Sequence, residues 1–233
     1  MGVDETLAGR VAAVAALDEP TRRRLYEHVV RQSAPVSRDE VAVALGIPRA
    51  TVAFHLDQLV EQDLLDVTHQ RRTGRSGPGA GRPAKLYSRS RRHVAVSLPE
   101  RRYDLAGHLL AAAIDEADQS ERPVRPVLDR RARLLGEELG RLAGESRGDR
   151  PAAEVFLGVL ESHGFEPRAD GDQVVLANCP FHALARDHTR LVCGMNLNLV
   201  DGLLRGVGDT GLAAHLDPAP DLCCVRLEPL SGR

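Results

Sequence analysis

The 233-residue chain has no tryptophan, only four Phe and three Tyr, a single lysine (Lys85) against 30 arginines, and four cysteines. The shortage of rings leaves Ala, Val and Leu as the main apolar residues, and the arginine bias reads as genomic composition rather than mechanism. No run approaches the roughly 20 apolar residues that cross a bilayer, and the short stretch Val11 to Leu17 follows Asp4 and Glu5 instead of a basic flank. No membrane partner and no secretory leader are expected, and the protein is expected to be cytoplasmic. With 42% hydrophobic residues the chain can bury a core, which excludes wholesale disorder.

Cysteine is absent from the first 178 residues; Cys179, Cys193 and the pair Cys223-Cys224 fall within 46 positions near the end. In a reducing compartment such thiols serve as metal ligands, redox sensors or small core residues more often than as structural disulfides. Charge is divided in the same way. Residues 1–99 carry 15 basic and 11 acidic side chains, or +4, and residues 100–233 carry 16 and 22, or −6. A basic front on an acidic body suits a DNA-binding module joined to a regulatory one.

The front reads as a series of short helices. Leu7, Val11, Val14 and Leu17 repeat at helical spacing, Asp18-Glu19-Pro20 ends that helix, and Leu25, Tyr26, Val29 and Val30 form the apolar side of the next. Ser37 with Glu40 makes a capping box for a helix over 38–45, and Gly46 stops it. Ile47-Pro48 then turns the chain into a helix over 49–62 with Val52, Leu56, Leu59 and Val60 inward. This is a helix-turn-helix, whose second helix would present Arg49, Ala50, Thr51, Ala53, His55 and Gln58 to base edges of double-stranded DNA. A strand over 64–68, a Gly-rich segment and a returning strand at Leu86-Tyr87 follow. From Val67 to Pro99 there are eight basic residues and no acidic one, so the segment reads as a wing whose Arg71, Arg72, Arg75, Arg82 and Lys85 grip phosphates.

Two Ala- and Leu-rich helices over 100–118 and 127–143 come next, and carry no chemistry of their own. They are expected to dimerise, because two-fold operators match two-fold proteins; the other outcome is packing on the C-terminal domain. In the last third a helix over 151–162 leads to a hairpin turning at Asp170-Gly171-Asp172. Cys179 follows the returning strand, with a helix opening at Pro180 that holds His182 and His188. Cys193 precedes a helix over 196–204, and Cys223-Cys224 lies in a last strand over 222–227. Consecutive strand residues face opposite sides, so one of that pair is expected to join Cys179 and Cys193, leaving a fourth donor to be found. The spacing matches neither paired zinc knuckles nor a ferredoxin run. No third group orients a Cys179–histidine pair and no oxyanion loop is evident, so the chain is not expected to be an enzyme.

The expected fold is α+β: an N-terminal winged helix-turn-helix over 1–99, a helical linker or dimerisation region over 100–149, and a C-terminal α/β sensor domain over 150–233. Its small antiparallel sheet carries the cysteines.

Asn178-Cys179-Pro180-Phe181-His182, then Leu191-Val192-Cys193-Gly194-Met195-Asn196, then Cys223-Cys224-Val225, together with Gly81-Arg82-Pro83 and Tyr87, resemble iron–sulphur winged-helix repressors of the Suf cluster-assembly operon. These belong to the superfamily related to the arsenic repressors. The resemblance implies a homodimeric transcriptional repressor that carries a [4Fe-4S] or [2Fe-2S] cluster and releases DNA when the cluster is lost. It implies Cys179, Cys193 and Cys223 as ligands, with Cys224 as the alternative to Cys223 and His182 or His188 as lesser candidates for the fourth position. A zinc-binding or thiol-redox-sensing regulator using the same cysteines is the alternative reading.

Overall fold

A computed structural model describes residues 6–70 and 83–230, and divides the chain into two compact units, residues 1–96 and 97–233. In the first unit, α1 (Leu7–Ala16) and α2 (Pro20–Val30) precede a short β1 (Val36–Ser37), then α3 (Arg38–Leu45) and α4 (Arg49–Glu61), and finally β2 (Leu65–Gln70) and β3 (Ala84–Arg89). The expected capping box is present: the Ser37 hydroxyl and backbone both meet the Glu40 carboxylate, at 2.9 and 2.8 Å. Gly46 closes α3 at φ 64°, the left-handed conformation that only glycine adopts without cost, and so sets the turn into α4.

The strands form an antiparallel sheet in the order β1-β3-β2, with Tyr87 of β3 opposite Val67 on one side and Val36 on the other. Tyr87 and Leu25, Val29, Val41, Val52, Leu56, Leu59 and Leu65 make one buried cluster beneath α4. This order of helices and strands is a winged helix-turn-helix. The Gly-rich part of the expected wing, with Arg71, Arg72, Arg75 and Arg82, lies outside the described residues.

The second unit contains α5 (Tyr103–Ser120), α6 (Val124–Glu145), α7 (Ala152–Ser162), β4 (Pro167–Asp170), β5 (Gln173–Leu176), α8 (His182–Asp187), α9 (Thr189–Val207), β6 (Leu212–Leu216) and β7 (Val225–Pro229). Its four strands form an antiparallel sheet ordered β4-β5-β7-β6. Helices α5 and α6, read from the sequence as a region of their own, share one core with the rest of this unit. Among the described residues no helix is long and apolar enough to cross a membrane.

Glycine explains that shared core. Helices α6 and α9 run parallel, with Gly136 and Gly140 of α6 against the backbone of Leu199 to Val207, and Gly202 and Gly206 of α9 against the backbone of Arg133 to Arg141. A Cβ on Gly136 would sit 2.1 Å from the Leu199 carbonyl oxygen, and one on Gly202 2.1 Å from that of Arg133. The backbones therefore touch directly, with room for Cα–H to carbonyl contacts. The buried side of α6 is Val127, Leu128, Ala132, Gly136 and Gly140. Leu134 and Leu142, expected inward, stand 50% and 48% exposed, because the closest approach has no space for large side chains. Polar contacts flank the seam: Arg133 donates to Asn198 Oδ1 at 2.5 Å and pairs with Asp201 at 3.5 Å, and Arg125 donates to the Arg190 carbonyl at 2.9 Å.

The structure also corrects four local readings. Residues 212–216 form a strand, β6, that periodicity did not reveal, and the final strand starts at Val225, after the cysteine pair. Cys193 lies inside the 19-residue α9 rather than before a shorter helix. The helix after Cys179 starts at His182 and ends at Asp187, so Cys179 is three residues ahead of it.

Gly136→Ala and Gly202→Ala are each expected to destabilise the protein by about 2 kcal/mol or more, since neither neighbouring backbone can yield cheaply. Gly107→Ala, at an exposed helical site with nothing within 4 Å of the added carbon, should instead stabilise by up to ~1 kcal/mol. Thermal and denaturant melts of the three variants compare the two signs directly.

Candidate nucleic-acid interface and thiol site

Helix α4 turns Val52, Leu56 and Leu59 into the core, which leaves Ala50, Phe54 and Gln58 along its outer side at intervals of four. Arg49 and Ala50 are exposed at its first turn, and Thr51, Ala53 and Gln58 are half-buried. The Arg49 guanidinium is held by Asp39 of α3, and Gln58 Nε2 donates to Glu61 Oε2 at 2.7 Å. These groups can be lent to a base edge by exchanging one partner for another.

His55 departs from expectation. Its side chain is only 13% exposed, and Nδ1 lies 3.6 Å from Glu19 Oε2, the carboxylate that caps α2 through the Thr21 and Arg22 amides. Largely buried at helix position 55 and near the cap of α2, it offers little of its side chain to base edges. Lys85 likewise is held by Asp57, whose carboxylate also accepts a 3.0 Å hydrogen bond from Tyr87. A phosphate must compete with Asp57 for that ammonium.

The residue that sequence reasoning missed is Phe54, 61% exposed at the middle of the outer side. It is absent from the expected readers, yet its place opposite the Val52–Leu56–Leu59 stripe is legible in the sequence. An exposed ring there can pack on a thymine methyl group.

A family model described as a helix-turn-helix domain matches residues 17–68, which run from the end of α1 through β2. The first unit thus contains a helix-turn-helix domain, which supports DNA binding. Comparisons with curated proteins and with solved structures return no match. The match therefore supports a DNA-binding transcription regulator, and the thiol site must be read from its own geometry.

That site is assembled from three places in the second unit. Cys179 follows β5, Cys193 comes from α9, and Cys223-Cys224 lies in the bend before β7. The Cys223 amide donates to the Leu176 carbonyl at 2.8 Å, and the Cys224 carbonyl accepts from the Asp217 amide at 2.9 Å. The pair is thus pinned between the ends of β5 and β6. Because it precedes the strand, the alternation of strand side chains does not apply, and both thiols face the same group.

All four thiols are free and buried, from 2% exposure at Cys223 to 9% at Cys224. They neighbour one another in the order Cys179, Cys223, Cys224, Cys193, each thiol acting on the acidity of the next. Position in that order sets acidity. Donating to Cys223 raises the Cys179 thiol far above its usual range, and burial adds to the effect. Cys223 accepts from Cys179, which lowers it, but its donation to Cys224 and its burial prevail and carry it up to about 12. Donation to Cys193 likewise raises Cys224, also to about 12. Cys193 is the terminal acceptor, and the bond from Cys224 holds it below an ordinary thiol despite burial. Of the four, Cys193 is thus the thiol whose acidity is raised rather than suppressed.

Asn196, one helical turn beyond Cys193, donates through Nδ2 to Cys223 Sγ at 3.2 Å, while its buried Oδ1 has no hydrogen-bond partner. His182 and His188, the lesser candidates for a fourth donor, are both exposed, and Cys224 stands at the thiols instead. Among the described residues, no group of three or more His, Cys, Asp or Glu side chains is arranged to hold a single metal ion.

Phe54→Ala is expected to weaken binding to the cognate operator more than to random duplex of equal length, as read by fluorescence anisotropy; equal losses on both would remove its base-reading role. In protein kept reduced and free of metal, alkylation titrated against pH should modify Cys193 at lower pH than Cys179, Cys223 or Cys224. Peptide mass spectrometry reads that order.

Proposed function

We propose that the chain is a homodimeric transcriptional repressor whose grip on DNA is set by the state of its four-thiol site, and that this site carries an iron–sulphur cluster. One observation supports the reading: every cysteine of the chain converges on one buried site, in the unit other than the one that carries the helix-turn-helix. Inert core cysteines have no reason to seek each other.

The donor set suits the group. Thiolates are the ligands of iron–sulphur clusters, hydrogen bonds to sulphur of the kind Asn196 makes tune them, and a dry surrounding core limits attack by water. Cys179, Cys193 and Cys223 would hold it, with Cys224 the fourth thiol at the site. When bound, the cluster supplies a sensitivity to iron supply that protein side chains lack.

The chain's own residues supply the linkage. Cys179 belongs to the β5–α8 loop, Cys193 to α9 and Cys223-Cys224 to the approach to β7, so one shared ligand fixes three elements together. If DNA and the ligand favour the same conformation, their coupling is worth about 1–3 kcal/mol, or roughly 5- to 150-fold in affinity. Ile114 of α5 and Leu134 and Leu142 of α6, each about half exposed, offer apolar surface to a second copy.

The thiol chain favours a second reading as well. Cys179 with Cys223, and Cys193 with Cys224, are direct neighbours, so a peroxide could take two electrons from either pair, forming a disulfide while it is reduced to water or alcohol. Anaerobic purification separates the readings. Coloured protein with iron and acid-labile sulphide, losing operator affinity by about 5- to 150-fold when stripped, is the expected result. Colourless protein whose affinity changes only on oxidation would replace the cluster with the disulfide.

A further inference from the structure

The residues that follow the DNA-binding unit are tied, one after another, to the loop that carries Cys179. Glu100 offers its carbonyl to Asn178 Nδ2 at 3.1 Å. Arg101 donates through Nη1 to Asn178 Oδ1, and to the Cys179 carbonyl at 3.3 Å. The Arg102 amide donates to the Pro180 carbonyl at 3.0 Å, and the Tyr103 hydroxyl accepts from the Ala183 amide at 3.3 Å. The first unit ends at Val96, so this strap begins only a few residues beyond it.

We propose that Arg101 and Asn178 form a clasp through which the state of the thiol site positions the connector into the DNA-binding unit. This rests on the regulatory reading above and names how its signal leaves the site. Three features single out the clasp within the strap. Asn178 is only 6% exposed and spends its amide on the strap and on the Gly164 carbonyl, at 2.6 Å, so no water stands in for a lost partner. It directly precedes Cys179, so a turn of the Cys179 side chain toward or away from a shared ligand is passed to Asn178 through one peptide bond. Arg101 is the cation beside Cys179, and its Nη1 alone reaches both the Asn178 side chain and the Cys179 carbonyl, so one nitrogen joins the two residues.

Arg101 and Asn178 are positioning residues, not ligands. Their loss should therefore leave iron and sulphide content intact while uncoupling it from DNA. The test compares operator affinity of loaded and stripped protein for the unaltered chain, Arg101→Ala and Asn178→Ala, alongside iron content and melting temperature. The clasp requires the loaded-to-stripped ratio to collapse toward one in both variants at full iron content; an unchanged ratio overturns it. A ratio of one already in the unaltered chain would overturn the regulatory reading itself. Should either variant fail to fold, trypsin applied to the unaltered protein reads the same contact, because Arg101-Arg102 is its own cleavage site. Faster cutting there after stripping supports the clasp, and equal rates overturn it.

Discussion

The direct contact of α6 with α9 is the constraint on which the second unit depends. Four glycines, Gly136 and Gly140 on one helix and Gly202 and Gly206 on the other, bring two backbones together over several turns. Close approach excludes water and large side chains alike, so each polar flank, such as Arg133 with Asn198 and Asp201, must be satisfied across the seam. The seam also places the thiols. Cys193 and Asn196 sit near the start of α9, and the packing of that helix decides where their side chains meet the ends of β5 and β7. Loosening α6 from α9 would move one member of the thiol group relative to the other three.

The same dependence explains what could be read from sequence. In the first unit, strong local signals agree with the fold: the Ser37–Glu40 box, the Gly46 stop and the Val52–Leu56–Leu59 stripe each determine structure within a few residues. In the second unit the decisive residues are small. A reading that looks for large apolar side chains turns α6 toward Leu134 and Leu142 and misses its glycine side, because close backbone packing leaves no hydrophobic period. The cysteine pair was misjudged for a related reason. Alternation holds only inside a strand, and Cys223-Cys224 lies just short of one, where a non-local pairing with Leu176 and Asp217 sets its direction. His55 was drawn inward by Glu19, again a contact distant in sequence.

Within the thiol site, burial and mutual hydrogen bonding act together. In a low-dielectric pocket four adjacent thiolates repel each other strongly, so without a cation the site keeps its protons and concentrates acidity at the end of the chain, on Cys193. Any ligand that needs several thiolates must displace those protons and supply positive charge in their place. Its binding is accordingly pH-dependent, and its loss leaves neighbouring thiols ready to pair.

Such a site regulates DNA only if its state reaches the other unit. Each unit has its own core, and the chain joining them runs through residues 97–103, the last four of which are hydrogen-bonded to the Cys179 loop. A flexible connector would let the DNA-binding unit ignore the sensor, because an unconstrained tether carries no preferred orientation. A connector anchored at its far end could carry one, and in the proposed dimer both copies would share it. Recognition helices that must sit one DNA turn apart are sensitive to small changes in such an angle. In the proposed reading, the anchoring of Glu100 to Tyr103, more than any single thiol contact, is the route by which chemistry at Cys179 would leave the thiol site.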